Sequence, residues 1–242
     1  MAKQICGFAL LAIVLCLASP KCAGQDTADR VEKQQERSIL SLDLEFSRKN
    51  QDLLERAASL LFGAEPNGYA TGFLIRDGLV ITAYHVVSGD LSPAKKMNLG
   101  FKAGDKLNVK VYVKGCRATI LKVDKDADLA LLEICSRPKQ TKAPTFQAAL
   151  SKDEQLLLIA RPHGNKMVSR GVFRGSYNFG GQEYWSAKIV GRDGYSGSPV
   201  YNHKGEVVGV FTGYDNVQKV ALISPAFKAQ RLLDDYSASP KP

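Results

Sequence analysis

Cysteine, histidine and long apolar runs are all scarce in this chain, and each scarcity removes a class of function. Of five cysteines in 242 residues, three fall within the first 22. The other two, Cys116 and Cys135, lack C-x-x-C spacing, which argues against a metal knuckle or a dithiol redox centre. The three histidines, His85, His163 and His203, are far apart in sequence, and no metal or cofactor is expected. One stretch, Ile5 to Ala18, is almost wholly apolar, and its fourteen residues are too few to cross a bilayer. Lys and Arg number 33 against 24 Asp and Glu, a net charge of +9. That excess is scattered, with no sustained basic run and no interleaved aromatics, so nucleic acid is not an expected partner. No clear internal repeat is present.

The N-terminus carries a secretory pattern. Lys3 supplies the positive start, Ile5 to Ala18 the apolar middle, and small residues follow. Small-x-small spacing fits cleavage after Ala18 or after Gly24. Residues 1–24 are read as a signal peptide, leaving no stable membrane anchor after cleavage and a secreted or periplasmic protein; a retained anchor is the alternative. Cleavage after Gly24 leaves only Cys116 and Cys135, an even pair that suggests a disulfide in an exported chain. Cys116 precedes the strand-like run Arg117–Val123 and Cys135 follows Leu129–Ile134. If the runs pair as an antiparallel hairpin, the cysteines fall within bridging distance. Two separate buried thiols are the alternative.

Residues 25–62 contain no Pro or Gly and read as helix. Ile39, Leu42 and Phe46 recur at i, i+3, i+7, and Leu53, Ala57, Leu60 and Leu61 at i, i+4, i+7, i+8. This prefix, residues 25–66, carries six basic and nine acidic side chains; residues 67–242 carry 25 and 15. It is read either as an oligomerisation segment or as a helix packed on its own domain. From Gly68 the texture changes to short apolar runs separated by Gly, Asn, Asp and Lys. The runs are Tyr69–Ile75, Leu79–Thr82, Leu107–Val113, Arg117–Val123, Leu129–Ile134, Leu156–Ala160, Val168–Arg174, Tyr184–Val190, Ser198–Tyr201, Val207–Phe211 and Lys219–Ile223. Many short strands predict an all-β sandwich or barrel over residues 67–236. A closing helix spans Pro225 to Tyr236, and residues 237–242 form a disordered tail.

The segment Gly194-Tyr-Ser196-Gly-Ser-Pro-Val surrounds one hydroxyl with backbone-permissive residues. A serine is a weak nucleophile unless a base takes its proton and a third group orients that base. His85 ends the buried run Leu79-Val-Ile-Thr-Ala-Tyr, where a strand terminus fixes a side chain in place. His163 lies in a turn and His203 at a hairpin tip, so neither is a candidate base. Asp124, Asp126 and Asp128 compete for the third role. Asp128 opens the apolar run Leu129-Ala-Leu-Leu, at a junction where a carboxylate can be partly buried. Structural alternatives exist for each: a core histidine, a strand-capping aspartate and a glycine-rich hairpin.

Taken together, Thr71-Gly-Phe-Leu-Ile, the His85 and Asp128 runs, the Ser196 motif and Gly205-Glu-Val-Val-Gly-Val resemble the trypsin-like serine peptidases. The flavour is that of the bacterial branch with the HtrA-type proteases and glutamyl endopeptidases. The order His, Asp, Ser matches as well. The resemblance implies two six-stranded antiparallel β-barrels of chymotrypsin-like type, with a C-terminal helix, an N-terminal helical prefix and catalytic groups between the barrels. It implies His85, Asp128 and Ser196 as the triad, and the Gly194 and Ser196 N–H groups as the oxyanion hole. Protein or peptide substrates are then the partners. Val190 would sit at the base of the specificity pocket. Phe211, Thr212 and Gly213 would pair with substrate backbone, with the Thr212 hydroxyl supporting the triad aspartate. Val190 and Phe211 argue against Lys/Arg and Glu preference respectively, leaving small or apolar residues before the scissile bond. Tyr195 and Ser198 depart from the usual residues, and Tyr195 could crowd the cleft. Only 18 residues follow Ser224, too few for a PDZ module. A non-catalytic binding or scaffold protein on the same fold is the alternative reading. A G-x-S-x-G esterase is disfavoured because the fifth position is Ser198 and no helix pattern follows.

Overall fold

The computed structural model describes residues 20–50, 57, 67–76, 78–135 and 143–238. Residues 1–19 of the expected signal peptide lie outside that set, as do Leu53, Leu60 and Leu61 of the expected prefix. Helix Pro20–Gln35 spans Gly24, one of the two expected cleavage points. Thirteen strands follow among the described residues. They are β1 (Ile39–Arg48), β2 (Gly68–Arg76), β3 (Leu79–Ala83), β4 (Leu107–Val113), β5 (Cys116–Arg117), β6 (Thr119–Asp124) and β7 (Leu129–Glu133). The second group is β8 (Gln155–Ala160), β9 (Met167–Phe179), β10 (Gln182–Ala187), β11 (Pro199–Tyr201), β12 (Val207–Asp215) and β13 (Val220–Pro225). Helix Ala226–Ala238 closes the described chain, two residues into the expected tail.

The all-β expectation holds, with two corrections. The first concerns the prefix: residues 39–48 are strand β1, not helix. Leu40, Leu42, Leu44 and Phe46 alternate with Ser41, Asp43, Glu45 and Ser47, a period of two that suits a strand with one face in the core. β1 pairs antiparallel with both β2 and β4. Ile39, Leu42 and Phe46 are buried inside this molecule and offer no face to another copy.

The second correction concerns the barrels. Strands β8 to β13 close in the order β10-β13-β12-β11-β8-β9. The N-terminal sheet is instead a curled seven-strand ladder, β5-β4-β1-β2-β3-β7-β6. Its two edges are consecutive in sequence, separated by Ala118, whose N–H donates to Val111 O at 2.8 Å. One bent run thus pairs with β4 at its start and with β7 along the rest. Cys116 and Cys135 lie at that bend with Cα atoms 6.2 Å apart, within bridging distance.

Each sheet has its own apolar interior, and a third cluster joins them. Phe73, Ile81, Leu129 and Leu131 from the first sheet meet Ile159, Tyr201 and Val210 from the second. Leu232 of the last helix and Val31 of the first helix complete that cluster. Burying β2, β3 and β7 on both faces explains their near-continuous apolar sequences. The seam beside this cluster holds the site.

Candidate active site

Three strand ends converge at the seam. β3 leads straight into the short helix Tyr84–Ser88, which carries His85. The β3–β7 register sets Ala83 opposite Leu129, so the residue before β7 meets the residue after β3. Tyr84 N–H donates to Asp128 O at 3.0 Å, and His85 N–H to Asp128 Oδ1 at 2.9 Å. Asp128 adopts φ 51°, in the left-handed region that aspartate tolerates better than most residues. The turn before it is held by Asp124, whose Oδ1 accepts from Ala127 N–H and whose Oδ2 accepts from Arg231. Burial raises the Asp124 pKa, but these bonds prevail and hold it below its ordinary value. The three competing aspartates therefore separate: Asp128 faces His85, Asp124 shapes the turn and Asp126 is exposed.

The side chains form a continuous relay. His85 Nδ1 is 2.8 Å from Asp128 Oδ2, and His85 Nε2 is 2.8 Å from Ser196 Oγ. The tautomer that gives both contacts a donor has its proton on Nδ1, toward the carboxylate, and leaves Nε2 to accept from the serine hydroxyl. The Asp128 side chain is 16% exposed and that of His85 33%, so the carboxylate is sheltered while the imidazole reaches the cleft.

Ser196 sits on the loop between β10 and β11 of the closed barrel. Gly194 and Gly197 have φ of 81° and 84°, which only glycine adopts without strain. Tyr195 N–H donates to Arg192 O, Gly197 N–H to Phe211 O and Ser198 N–H to Tyr195 O. Among the described residues, the Gly194 and Ser196 N–H groups have no protein acceptor. Tyr195 does not crowd the cleft: it is 2% exposed and packs in the barrel interior edge-on to Phe211. Ser198 is fully buried.

A cleft of about 690 Å³ runs past the relay. Phe211, Thr212 and Gly213 line it with His85, Gly194 and Ser196. Val190 does not. It is 60% exposed, because Ile189 turns into the core and the next side chain must point away. Gly191 lines the cleft instead, with the Phe211 ring against its backbone. The Thr212 hydroxyl donates to Leu222 O at 3.3 Å, not to Asp128. The β12–β13 register shifts between Phe211 and Gly213, and such a bulge re-aims the side chain within it. His163 packs against Tyr69, which lines the cleft, with ring centroids 3.6 Å apart and the planes tilted by 41°. The His203 side chain is 58% exposed and 3.8 Å from Glu154. Sequence reasoning missed Tyr69, although its position just before the quoted Thr71 motif was a signal for it.

The family model described as "Trypsin-like peptidase domain" matches residues 70–210. The chain belongs to that family. Among solved structures, it is similar to the active form of the Rv3671c protease from M. tuberculosis. The two are 18% identical with a TM-score of 0.64, over 99% of this chain and 97% of that one. An inactive form of a mutant Rv3671c gives 20% identity and a TM-score of 0.58, over 95% of this chain and 100% of that one. At such identities the likeness concerns the fold. No curated protein matches the chain significantly.

Proposed function

We propose that this trypsin-like peptidase is an exported serine endopeptidase that cuts peptide bonds through His85, Asp128 and Ser196. The observation that carries the reading is the unbroken carboxylate–imidazole–hydroxyl relay, with 2.8 Å at both links. The Ser196 Oγ–H proton passes to His85 Nε2 as Oγ bonds to the substrate carbonyl carbon. The carbonyl oxygen becomes an oxyanion and accepts from the Gly194 and Ser196 N–H groups. One such donor contributes roughly 3–4 kcal/mol at the transition state. His85 then gives its proton to the departing amine, the C–N bond breaks and an acyl-serine remains. Water repeats the sequence and frees the acid. Asp128 keeps the proton on Nδ1 and stabilises the imidazolium.

Small or apolar residues before the scissile bond fit this cleft. The Phe211 ring lies against the Gly191 backbone and gives the cleft wall an apolar surface. Among the described residues that line it, the one carboxylate is Asp193, which is exposed and 4.0 Å from Lys95, so none of them offers a buried acid to a basic side chain. Export is supported by the N-terminal sequence and by a bridge between Cys116 and Cys135. No helix among the described residues is long and apolar enough to cross a membrane.

Digestion of a peptide library tests the reading. Wild type should cleave after small or apolar residues, and Ser196→Ala should lose about 10⁴-fold or more in kcat. Cleavage dominated by Arg or Glu would overturn the specificity. Equal turnover by Ser196→Ala would overturn the mechanism.

A further inference from the structure

We propose that Thr71 is a positioning residue for the oxyanion site, clamping the turn that carries Ser196. The inference rests on the hydrolase reading above. Thr71 lies in β2 of the first sheet and is fully buried, and its hydrogen bonds leave no polar atom idle. Its N–H donates to Ser196 O at 3.0 Å. Its Oγ1 hydroxyl donates to Gly194 O at 2.8 Å and accepts from Arg161 N–H at 3.0 Å. Its carbonyl accepts from the Thr82 hydroxyl at 2.8 Å.

Two of these bonds cross the seam to carbonyls on the oxyanion turn, Gly194 O and Ser196 O. A glycine has no side chain to hold its torsions, so the direction of the Gly194 N–H must be fixed from outside. Fixing the Gly194 carbonyl fixes the far side of that residue, and Tyr69 and Pro162 press on its other flank. A Cβ built on Gly194 would lie 2.5 Å from the Tyr69 ring and 2.7 Å from Pro162 Cβ. Backbone contact is just as close at Gly197, where a Cβ would lie 2.1 Å from Thr71 O. Any strand residue could supply the N–H and carbonyl. Only a hydroxyl can donate to Gly194 O while accepting from Arg161 N–H.

The clamp extends further back. The Arg161 guanidinium reaches Glu36 O at 3.4 Å and Glu36 Oε1 at 3.5 Å. The N-terminal segment thus abuts the same residue whose N–H holds the Thr71 hydroxyl.

The test compares wild type, Thr71→Val and Thr71→Ser by steady-state kinetics on one peptide substrate, with thermal melting to establish folding. Thr71→Val should lose about 100-fold in kcat, the scale of one missing oxyanion donor, with KM within a few-fold. Thr71→Ser should recover kcat to within a few-fold. Affinity for a peptide aldehyde, whose serine adduct carries the same oxygen, should fall in parallel with kcat. A folded Thr71→Val with wild-type kcat, or with its loss confined to KM, overturns the proposal. If Thr71→Val does not fold, Thr71→Ala carries the same comparison, and a Thr71→Ser variant as slow as Thr71→Ala counts against the clamp. Wild type that turns over normally while Thr71→Val matches it defeats the clamp alone. Wild type without turnover defeats the hydrolase reading itself.

Discussion

Gly197 shows how tightly the turn that carries Ser196 is built. Its φ is 84°, and a Cβ there would stand 2.1 Å from Thr71 O and 2.2 Å from Thr82 Oγ1. Backbone strain and overpacking then act together, so Gly197→Ala should destabilise the protein by about 3 kcal/mol or more. Chemical denaturation measures this, and a loss under about 1 kcal/mol would mean that the two strands part easily. At this scale the sequence was legible where a side chain sits at the end of a strand. His85, Asp128 and Ser196 each border an apolar run or a glycine turn, and the local pattern fixes where they point. Val190 and Thr212 were not legible. Their directions depend on the burial of Ile189 and on a register shift near Phe211, which no local pattern encodes.

Among the elements, β1 carries the main lesson. Its apolar residues satisfy a helical spacing at Ile39, Leu42 and Phe46, yet the strict alternation from Leu40 to Ser47 satisfies a strand better. Tertiary pairing decides, because β2 and β4 offer free ladders on both sides. The face opposite the core carries Glu45, itself buried, which accepts from Lys110 Nζ at 2.6 Å and from Tyr112 Oη at 2.8 Å. Burial alone would raise the Glu45 pKa, but the two donors outweigh it and hold the carboxyl below its ordinary value of 4.5. A depressed pKa means that the folded state binds this proton less readily than the unfolded chain. The stabilisation is therefore present above pH 4.5 and fades as pH falls through the folded value. Glu45→Gln should be less stable than wild type near neutrality, with the gap closing in acid. Denaturation curves across that range measure it, and a gap independent of pH would contradict the assignment.

Across the whole molecule, the N-terminal segment connects the two sheets. Its helix docks on the closed barrel through Asp29–Arg170 at 2.6 Å, Glu32–Lys166 at 2.8 Å and Val31 in the shared core. Its strand enters the middle of the other sheet. The charge contrast in the sequence, an acidic prefix before a basic domain, is thus met within one molecule. That contrast was visible in the sequence; the surface it covers was not, because the pairing spans more than a hundred residues. The same long-range closure unites an imidazole and a carboxylate from one sheet with a hydroxyl from the other. Active-site labelling with a fluorophosphonate, followed by peptide mass mapping, tests this convergence most directly. The account predicts one equivalent of label on Ser196, with labelling slowed at least about 100-fold in His85→Ala. Label that appears on another residue, or reacts equally fast without the imidazole, would contradict it.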